Sequence, residues 1–258
     1  MQVILRFYGE LNDFLSPEQR MRAFARPLFL PASIKDVIES LGVPHTEVDL
    51  ILVNSVPRGF GYLVGDGDYI SVYPGFTSLD VSSLLQLRPP LNDIRFVVDT
   101  HLGRLATYLR MLGFDTRYET SCDDQELSRI SAHRTRILLT RDRGLLRRGE
   151  VTYGYFVRAT EPRRQLLEVV RRFNLFRLAA PFERCLRCNR RLEPVSKESI
   201  RDRLPPRTAE CYQEFHICLD CDRLYWPGSH YEHMRRFLQH VLGATTQVSR
   251  EPESPALG

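Results

Sequence analysis

Apolar runs and helical patterns alternate through the middle of the chain. Residues 94–98 form a β-branched and aromatic run that is typical of a buried strand, and residues 137–140 form a second one. The segment after the first run has leucines at helical spacing, followed by a glycine at the usual place of a C-cap: Leu102, Leu105, Leu109, Leu112 and Gly113. A third run at residues 151–157 and a helical pattern from Glu161 continue the alternation. This order predicts an α/β fold with a parallel sheet covered by helices.

Acidic residues stand at the ends of these predicted elements. Asp99 follows the first strand, Asp142 follows the second, and Asp123 and Asp124 stand at the start of a helix. Because ligands gather at the carboxyl ends of parallel strands, we expect these acids to converge there. Converging carboxylates favour a hard cation such as Mg²⁺ or Mn²⁺, which can activate water and neutralise a phosphodiester. The alternative is that Asp123 is only an N-cap and Asp99 a loop residue.

The same region resembles a known family. The motifs are VVDTHLGRLA at residues 97–106, LRMLGFD at 109–115 and LLTRDRGLL at 138–146, and the match continues through a four-cysteine module that ends in YWPGSH at 225–230. Over about residues 94–237 the chain is similar to the PIN-like RNases of the Mut-seven C-terminal type. The resemblance implies a PIN-like nuclease fold, a divalent-metal acidic site and RNA as the substrate.

The resemblance also implies a set of site residues. It places Asp99, Asp124 and Asp142 in the acidic site, with Thr140 beside them. PIN nucleases often have a fourth acid shortly after the third, and Gly144 stands near that place here. Three explanations stay open: three acids suffice, Asp123 or Glu161 contributes, or activity is weak.

The six cysteines include two C-x-x-C pairs, Cys185 with Cys188 and Cys218 with Cys221. Two such knuckles can bind one Zn²⁺ tetrahedrally, and four thiolates complete a closed, structural site. The alternative is four reduced cysteines without a metal. Cys122 and Cys211 are expected to be unliganded thiols.

Charge is distributed unevenly along the chain. Residues 1–90 carry 7 Lys and Arg against 10 Asp and Glu, whereas residues 141–207 carry 18 against 8. An arginine-rich region beside an acidic site favours a polyanionic substrate, although an arginine bias of the genome would give the same composition, since lysine occurs only at positions 35 and 197. The arginines that we expect to bind phosphate are Arg104, Arg141, Arg163 and Arg164.

The N-terminal region has a different pattern. Strands are predicted at residues 3–7, near Phe29, at 50–54 and at 68–73, with a capped helix at 33–42. Residues 7–11 (FYGEL) and 64–74 (VGDGDYISVYP) resemble the β-grasp fold of ubiquitin-like sulfur carriers of molybdopterin and thiamine synthesis. Sulfur carriers end in a free Gly-Gly, but here the chain continues through Phe76. A binding or positioning module with a protein partner is therefore expected.

The predicted organisation is an α+β ubiquitin-like β-grasp domain, an α/β PIN-like core and a C-terminal zinc ribbon. The boundaries are 1–76 for the β-grasp domain, 77–92 for a linker, 93–178 for the core, 179–243 for the zinc-ribbon module with a C-terminal helix, and 244–258 for a disordered tail. No apolar run approaches the ~20 residues of a membrane span, and the start reads as a strand rather than a signal peptide, so a cytoplasmic location is expected.

The function predicted from the sequence is metal-dependent hydrolysis of RNA. The alternative is a catalytically weak or inactive RNA-binding or adaptor protein. A third hypothesis, a partner in sulfur-carrier-type cofactor synthesis, is disfavoured by the missing Gly-Gly terminus.

Overall fold

The computed structural model describes residues 1–75 and 87–246. The chain forms two compact units: Met1–Gly103 together with Arg117–Thr160, and Arg104–Thr116 together with the residues from Glu161 onward. Most of the predicted linker at 77–92 and of the predicted tail at 244–258 lies outside the described residues. Residues 244–246 belong to the last helix.

The N-terminal part of the first unit is a five-stranded sheet with one helix. The sheet order is β2-β1-β5-β3-β4, with β1 parallel to β5 and antiparallel to β2. Ser33 begins the helix with a capping box, in which its hydroxyl accepts from Asp36 N and the Asp36 carboxylate accepts from Ser33 N. The elements are β1 (Gln2–Phe7), β2 (Phe24–Pro27), α1 (Ile34–Ser40), β3 (Val48–Val53), β4 (Val56–Pro57) and β5 (Tyr69–Pro74).

The predicted strand near Phe29 is wrong. The second strand is β2, and Phe29 lies beyond its end with its side chain 95% exposed. Phe24, at the start of β2, packs instead against the buried cluster that includes Phe7 and Ile38. The predicted helix and the other three strands are confirmed.

The core sheet contains β6 (Arg95–Val98), β7 (Asp115–Arg117), β8 (Ile137–Thr140) and β9 (Gly154–Phe156). Its order is β7-β6-β8-β9, and β6, β8 and β9 are parallel. The helices that follow these strands are α2 (Gly103–Met111), α3 (Asp124–Arg134) and α4 (Arg143–Leu146). The predicted parallel-sheet core is therefore confirmed.

Within the first unit, the ubiquitin-like part packs against the edge strand β9. Glu47 is buried, and its carboxylate accepts from Phe156 N at 2.5 Å and from Arg158 Nη2 at 3.1 Å. His45 Nε2 donates to the carbonyl oxygen of Val151 at 2.9 Å. The rings of Phe14 and Phe156 lie edge to face with centroids 5.5 Å apart. Polar and apolar contacts together hold the two parts as one body.

Arg88 strengthens the same contact. Its Nη1 donates to the carbonyl oxygens of Thr46, at 2.9 Å, and Thr152, at 3.1 Å, and its Nη2 donates to that of Val48 at 2.5 Å. It also forms an ion pair with Asp49. One guanidinium thus ties the β3 end of the ubiquitin-like sheet to the segment that leads into β9.

The second unit contains a three-stranded antiparallel sheet in the order β10-β11-β12. Its small core is built on Ile200, Leu204 and Phe215. Gly113 ends α2 with φ +92, and a Cβ there would lie 2.2 Å from Ala180 O, so only glycine fits this close approach. The elements are α5 (Pro162–Arg172), β10 (Glu193–Val195), α6 (Lys197–Ile200), α7 (Pro206–Cys211), β11 (Phe215–Ile217), β12 (Leu224–Tyr225) and α8 (Ser229–Thr246).

Among the described helices, none combines the length and the apolar content that crossing a membrane requires.

Candidate active site and metal centre

Asp99 and Asp142 are linked through Thr140 at the carboxyl ends of adjacent parallel strands. Val98, the last residue of β6, pairs with Leu139 of β8, so Asp99 lies beside Thr140. The Thr140 hydroxyl donates to Asp99 Oδ2 at 2.5 Å and accepts from Asp142 N at 2.9 Å. Thr140 is fully buried and Asp99 is 7% exposed. The threonine therefore fixes one acid directly and the backbone of the other.

Asp142 is also the N-cap of α4. Its Oδ1 accepts from Gly144 N at 2.6 Å and from Leu145 N at 3.3 Å. Its Oδ2 has no hydrogen-bond partner among the described residues. A Cβ on Gly144 would lie 3.0 Å from Asp142 Oδ1, so a side chain at this position, where a fourth acid was sought, would crowd the third acid.

The two acids at the start of α3 have different surroundings. Asp123 is the N-cap, and its Oδ1 accepts from Glu126 N at 2.8 Å. Asp124 is exposed, and its carboxylate has no hydrogen-bond or ion-pair partner among the residues that the structure describes. Glu161 likewise caps its own helix, α5, by accepting from Arg164 N at 2.9 Å. Of these three acids, Asp124 is the one that caps no helix, so both of its carboxylate oxygens are without a partner among the described residues.

The candidate phosphate-binding arginines also differ. Arg141 Nη1 donates to three backbone carbonyl oxygens, those of Val157, Arg158 and Ala159, at 3.0, 2.7 and 2.7 Å. This nitrogen holds the segment after β9, and phosphate binding by Arg141 would have to use its other N–H groups. The candidates in the second unit are all exposed: Arg104, Arg163 and Arg164.

Oxygen donors of this kind fit a hard divalent cation. Asp142 offers Oδ2, and Asp124 offers its whole carboxylate. On Asp99, Thr140 donates to Oδ2 and Thr100 donates to Oδ1 at 3.2 Å, and each oxygen keeps a further lone pair. The three acids are not, however, gathered as closely as the cysteines described below, and their convergence on one cation stays a prediction.

The second unit brings its four paired cysteines together. The sulfur atoms of Cys185, Cys188, Cys218 and Cys221 all lie within 4.8 Å of one another. Among the described residues, this is the one set of three or more His, Cys, Asp and Glu side chains whose ligand atoms lie this close together. Such a cluster can bind a metal such as zinc. The predicted convergence of these four residues is confirmed.

Hydrogen bonds distinguish the four thiols. Burial raises the pKa of Cys185, but the Tyr225 hydroxyl and the backbone N–H groups of Cys188 and Arg187 lower it to about 6. Burial, with neighbouring thiols, raises the pKa of Cys188 to about 12. Tyr225 Oη lies 3.1 Å from Cys185 Sγ and also accepts from Leu186 N at 3.3 Å. Cys185 thus ionises more readily than Cys188, and metal binding requires the ionised form.

Sequence reasoning missed the residue that fixes the first knuckle. Arg110 of α2 is buried, and its Nη1 donates to the carbonyl oxygens of Leu186 and Arg187 at 3.1 and 2.6 Å. Asn189, at φ +72, accepts from Thr116 N at 2.9 Å and donates to Asp115 Oδ1 at 2.7 Å. The helical spacing gave no signal for it, because Arg110 lies about 100° around the helix from Leu109 and therefore outside the predicted leucine face.

Comparison with protein-family models identifies the family of both parts of the chain. The family model of the Mut7-C RNAse domain matches residues 94–238, and that of Mut7-C ubiquitin matches residues 1–80. The chain belongs to the Mut7-C RNAse domain family. The predicted resemblance, with its ubiquitin-like N-terminal domain, is therefore confirmed.

Membership of the Mut7-C RNAse family indicates a nuclease-like function and RNA as the class of substrate. Searches of curated proteins and of solved structures returned no match. The match of the Mut7-C RNAse domain spans the acidic residues and all four cysteines.

Proposed function

We propose that the chain is a divalent-metal-dependent ribonuclease whose site is formed by Asp99, Asp124 and Asp142. The observation that carries the proposal is the Thr140 link, which holds Asp99 and the backbone of Asp142 side by side at the ends of two parallel strands. The Thr140 hydroxyl is fully buried and acts both as a hydrogen-bond donor and as an acceptor. It is therefore suited to positioning carboxylates rather than to filling the core.

In this mechanism, Asp99 and Asp142 would hold Mg²⁺ or Mn²⁺, and the ion would supply activated water and neutralise phosphodiester charge. Asp124 would bind the same ion or orient the attacking water, since its carboxylate is exposed and has no partner among the described residues. Arg104, Arg141, Arg163 and Arg164 are the candidates for binding backbone phosphates.

The test is cleavage of total cellular RNA by the purified protein with Mn²⁺, with Mg²⁺ and with chelator. We expect Asp142→Asn to reduce cleavage by orders of magnitude with RNA binding retained, because asparagine keeps the shape and removes one charge. Cleavage equal to that of the parent protein would contradict the three-acid site. Binding without cleavage under every metal would favour the RNA-binding alternative, which the glycine at position 144 supports.

A matched pair of variants separates the two acids of α3. Asparagine caps a helix about as well as aspartate, so Asp123→Asn should retain both the fold and cleavage. Asp124→Asn should lose most of the cleavage. The reverse result would assign the catalytic role to Asp123.

We further propose that the four cysteines bind one structural Zn²⁺ in a ribbon-like module. A closed set of four thiolates leaves no open position for substrate, so this metal would fold the second unit rather than hydrolyse RNA. Elemental analysis should give near one zinc per chain. Cys188→Ser should lower both the zinc content and the melting temperature, and full zinc occupancy in that variant would contradict the assignment.

The ubiquitin-like domain is proposed to act as a fixed part of the nuclease. Its Glu47 accepts from the Phe156 N–H of the edge strand β9, a backbone group that would otherwise be unpaired, and its His45 bonds to Val151 in the segment that leads into β9. This role needs no sulfur-carrier chemistry.

A further inference from the structure

The second unit contains a cavity of about 770 Å³ beside the cysteine cluster. Its aromatic walls are formed by Phe182, Tyr225, Trp226 and Tyr231. This volume falls within the ~300–1,000 Å³ that is usual for small-molecule sites.

The aromatic walls are held rigidly. The rings of Phe182 and Tyr231 pack with centroids 4.1 Å apart, and Trp226 packs against the core of Ile200, Leu204 and Phe215. The Tyr225 hydroxyl contacts Cys185 Sγ, so this wall is fixed to the cysteine cluster. Each of the four rings is only half-buried, which leaves aromatic surface for a planar ligand.

Polar groups line the remainder of the cavity. Arg191 and His216 are exposed, and neither side chain has a hydrogen-bond or ion-pair partner among the described residues. Glu183 and Glu214 also line it, and their carboxylates can accept hydrogen bonds from the amino groups of bases. Planar faces, a guanidinium and carboxylate acceptors together match a nucleotide: a ring to stack, a phosphate and donors on the base edge.

We propose that this cavity binds one nucleotide of single-stranded RNA, with its base stacked on the aromatic walls and its phosphate on Arg191. The proposal rests on the function proposed above and adds a substrate subsite outside the acidic site. The described part of the second unit holds 18 Lys and Arg against 12 Asp and Glu, a net charge of +6, which favours RNA over an acidic or neutral peptide. Only unpaired bases can enter such a site, so the preferred substrate is single-stranded.

Trp226 is the chain's only tryptophan, so its fluorescence reports on the cavity directly. The full-length Asp142→Asn protein, loaded with zinc, would be titrated with a short single-stranded oligoribonucleotide. A matched oligomer that keeps the ribose-phosphate backbone but lacks the bases serves as the second probe. We expect saturable quenching by the first and little by the second. Equal quenching by both probes would overturn base recognition.

Two variants and one control test the proposed contacts of Tyr231 and Arg191. Tyr231→Leu keeps an apolar side chain beside Phe182 but removes one stacking ring, and affinity should fall roughly 10-fold, as loss of one base–aromatic stack predicts. Arg191→Ala should weaken binding and flatten its salt dependence. Arg207→Ala removes an equal charge from an exposed position outside the cavity and should have much less effect. Equal losses for Arg191→Ala and Arg207→Ala would indicate general electrostatic attraction and overturn the proposal.

The fluorescence result is independent of the cleavage result. If the parent protein cleaves RNA but Trp226 does not respond, the cavity proposal fails and the nuclease proposal stands. If Trp226 responds to base-containing RNA and the parent never cleaves, the subsite stands and the nuclease proposal fails.

Discussion

At the scale of single residues, the Tyr225 hydroxyl forms a hydrogen bond with a thiol of the cysteine cluster, 3.1 Å from Cys185 Sγ. Its hydrogen bond to Cys185 Sγ is the largest of the effects that lower the pKa of this thiol, and together they outweigh burial and bring it to about 6. Metal binding requires thiolates, and protons compete with the metal for them. The hydroxyl should therefore protect a bound zinc against acid.

Tyr225→Phe tests this role, because it keeps the ring and removes the hydrogen bond. The pKa of Cys185 should rise, so protons displace zinc at a higher pH than in the parent protein. Acid titration with a chromophoric chelator measures the midpoint of release. Tyr212→Phe is the control, since Tyr212 packs at the Ile200 cluster and its hydroxyl makes no hydrogen bond with a cysteine among the described residues. An unchanged midpoint in Tyr225→Phe would show that the hydroxyl does not support the thiolate.

The sequence predicted the positions of the candidate site residues better than it predicted their hydrogen-bond partners. The position of Asp99 after a buried strand predicted its place at the carboxyl edge of the sheet, whereas Thr140 beside it was predicted from the family resemblance. The residue pattern left the choice between Asp123 and Asp124 open and the resemblance selected Asp124, while the cap formed by Asp123 became visible only in the structure. The backbone role of Arg141 could not be foreseen, since its three carbonyl partners belong to a loop whose path depends on tertiary packing.

At the scale of elements, the sequence predicted the helices and strands that have a strong local signal, such as a capping box or an apolar run. It missed strands that lack such a signal. The Ser33 capping box and the apolar runs of β6 and β8 predicted α1 and two strands. Strand β2 was missed because it ends in proline and forms by pairing with the free edge of β1. The strands β10, β11 and β12 are two or three residues long, which is too short to have a measurable periodicity.

The Arg110 side chain connects α2, β7 and the first C-x-x-C pair, a link that the sequence pattern does not predict. Its Nε donates to Thr116 O at 2.9 Å, and its Nη1 holds the knuckle carbonyls, so α2, β7 and the first C-x-x-C pair are fixed by one side chain. This explains why residues 104–116 group with the C-terminal part of the chain. Pairing of this kind leaves no trace in spacing, because the partners are backbone carbonyls about 75 residues away.

Arg110→Met keeps most of the side-chain volume and removes every donor. Each acceptor left without a partner should cost about 1–3 kcal/mol, and zinc affinity should fall because the knuckle is no longer held. Thermal unfolding and zinc competition measure the two effects. Arg104→Met is the control, as Arg104 is an exposed arginine on the same helix. Equal behaviour of the two variants would contradict the anchoring role.

At the scale of the whole molecule, the main result is the fixed position of the ubiquitin-like part within the first unit. The sequence predicted the ubiquitin-like domain and the nuclease core as separate domains joined by a linker, followed by a zinc-ribbon module. Their contact depends on a buried carboxylate, Glu47, and on two arginines, Arg158 after β9 and Arg88 in the segment between the two parts. The Glu47 carboxylate raises the pKa of Arg158 further above its usual value, against the effect of burial. Such pairs have no sequence signature because each partner alone resembles a surface charge.

Glu47→Gln tests whether this contact makes the first unit cooperative. The amide keeps the shape but loses the charge, and its NH₂ must face either Phe156 N–H or Arg158, both of which are donors. Disrupting one partner of a buried ion pair typically costs ~3–5 kcal/mol, so the melting temperature should fall and the Phe156 amide should exchange faster. Asp13→Asn is the matched control, because Asp13 pairs with the same arginine at 3.0 Å from an exposed position and such pairs contribute ~0–1 kcal/mol. If the two variants lose equal stability, or if amide exchange at Phe156 is unchanged in Glu47→Gln, then Glu47 does not join the ubiquitin-like part to the nuclease core.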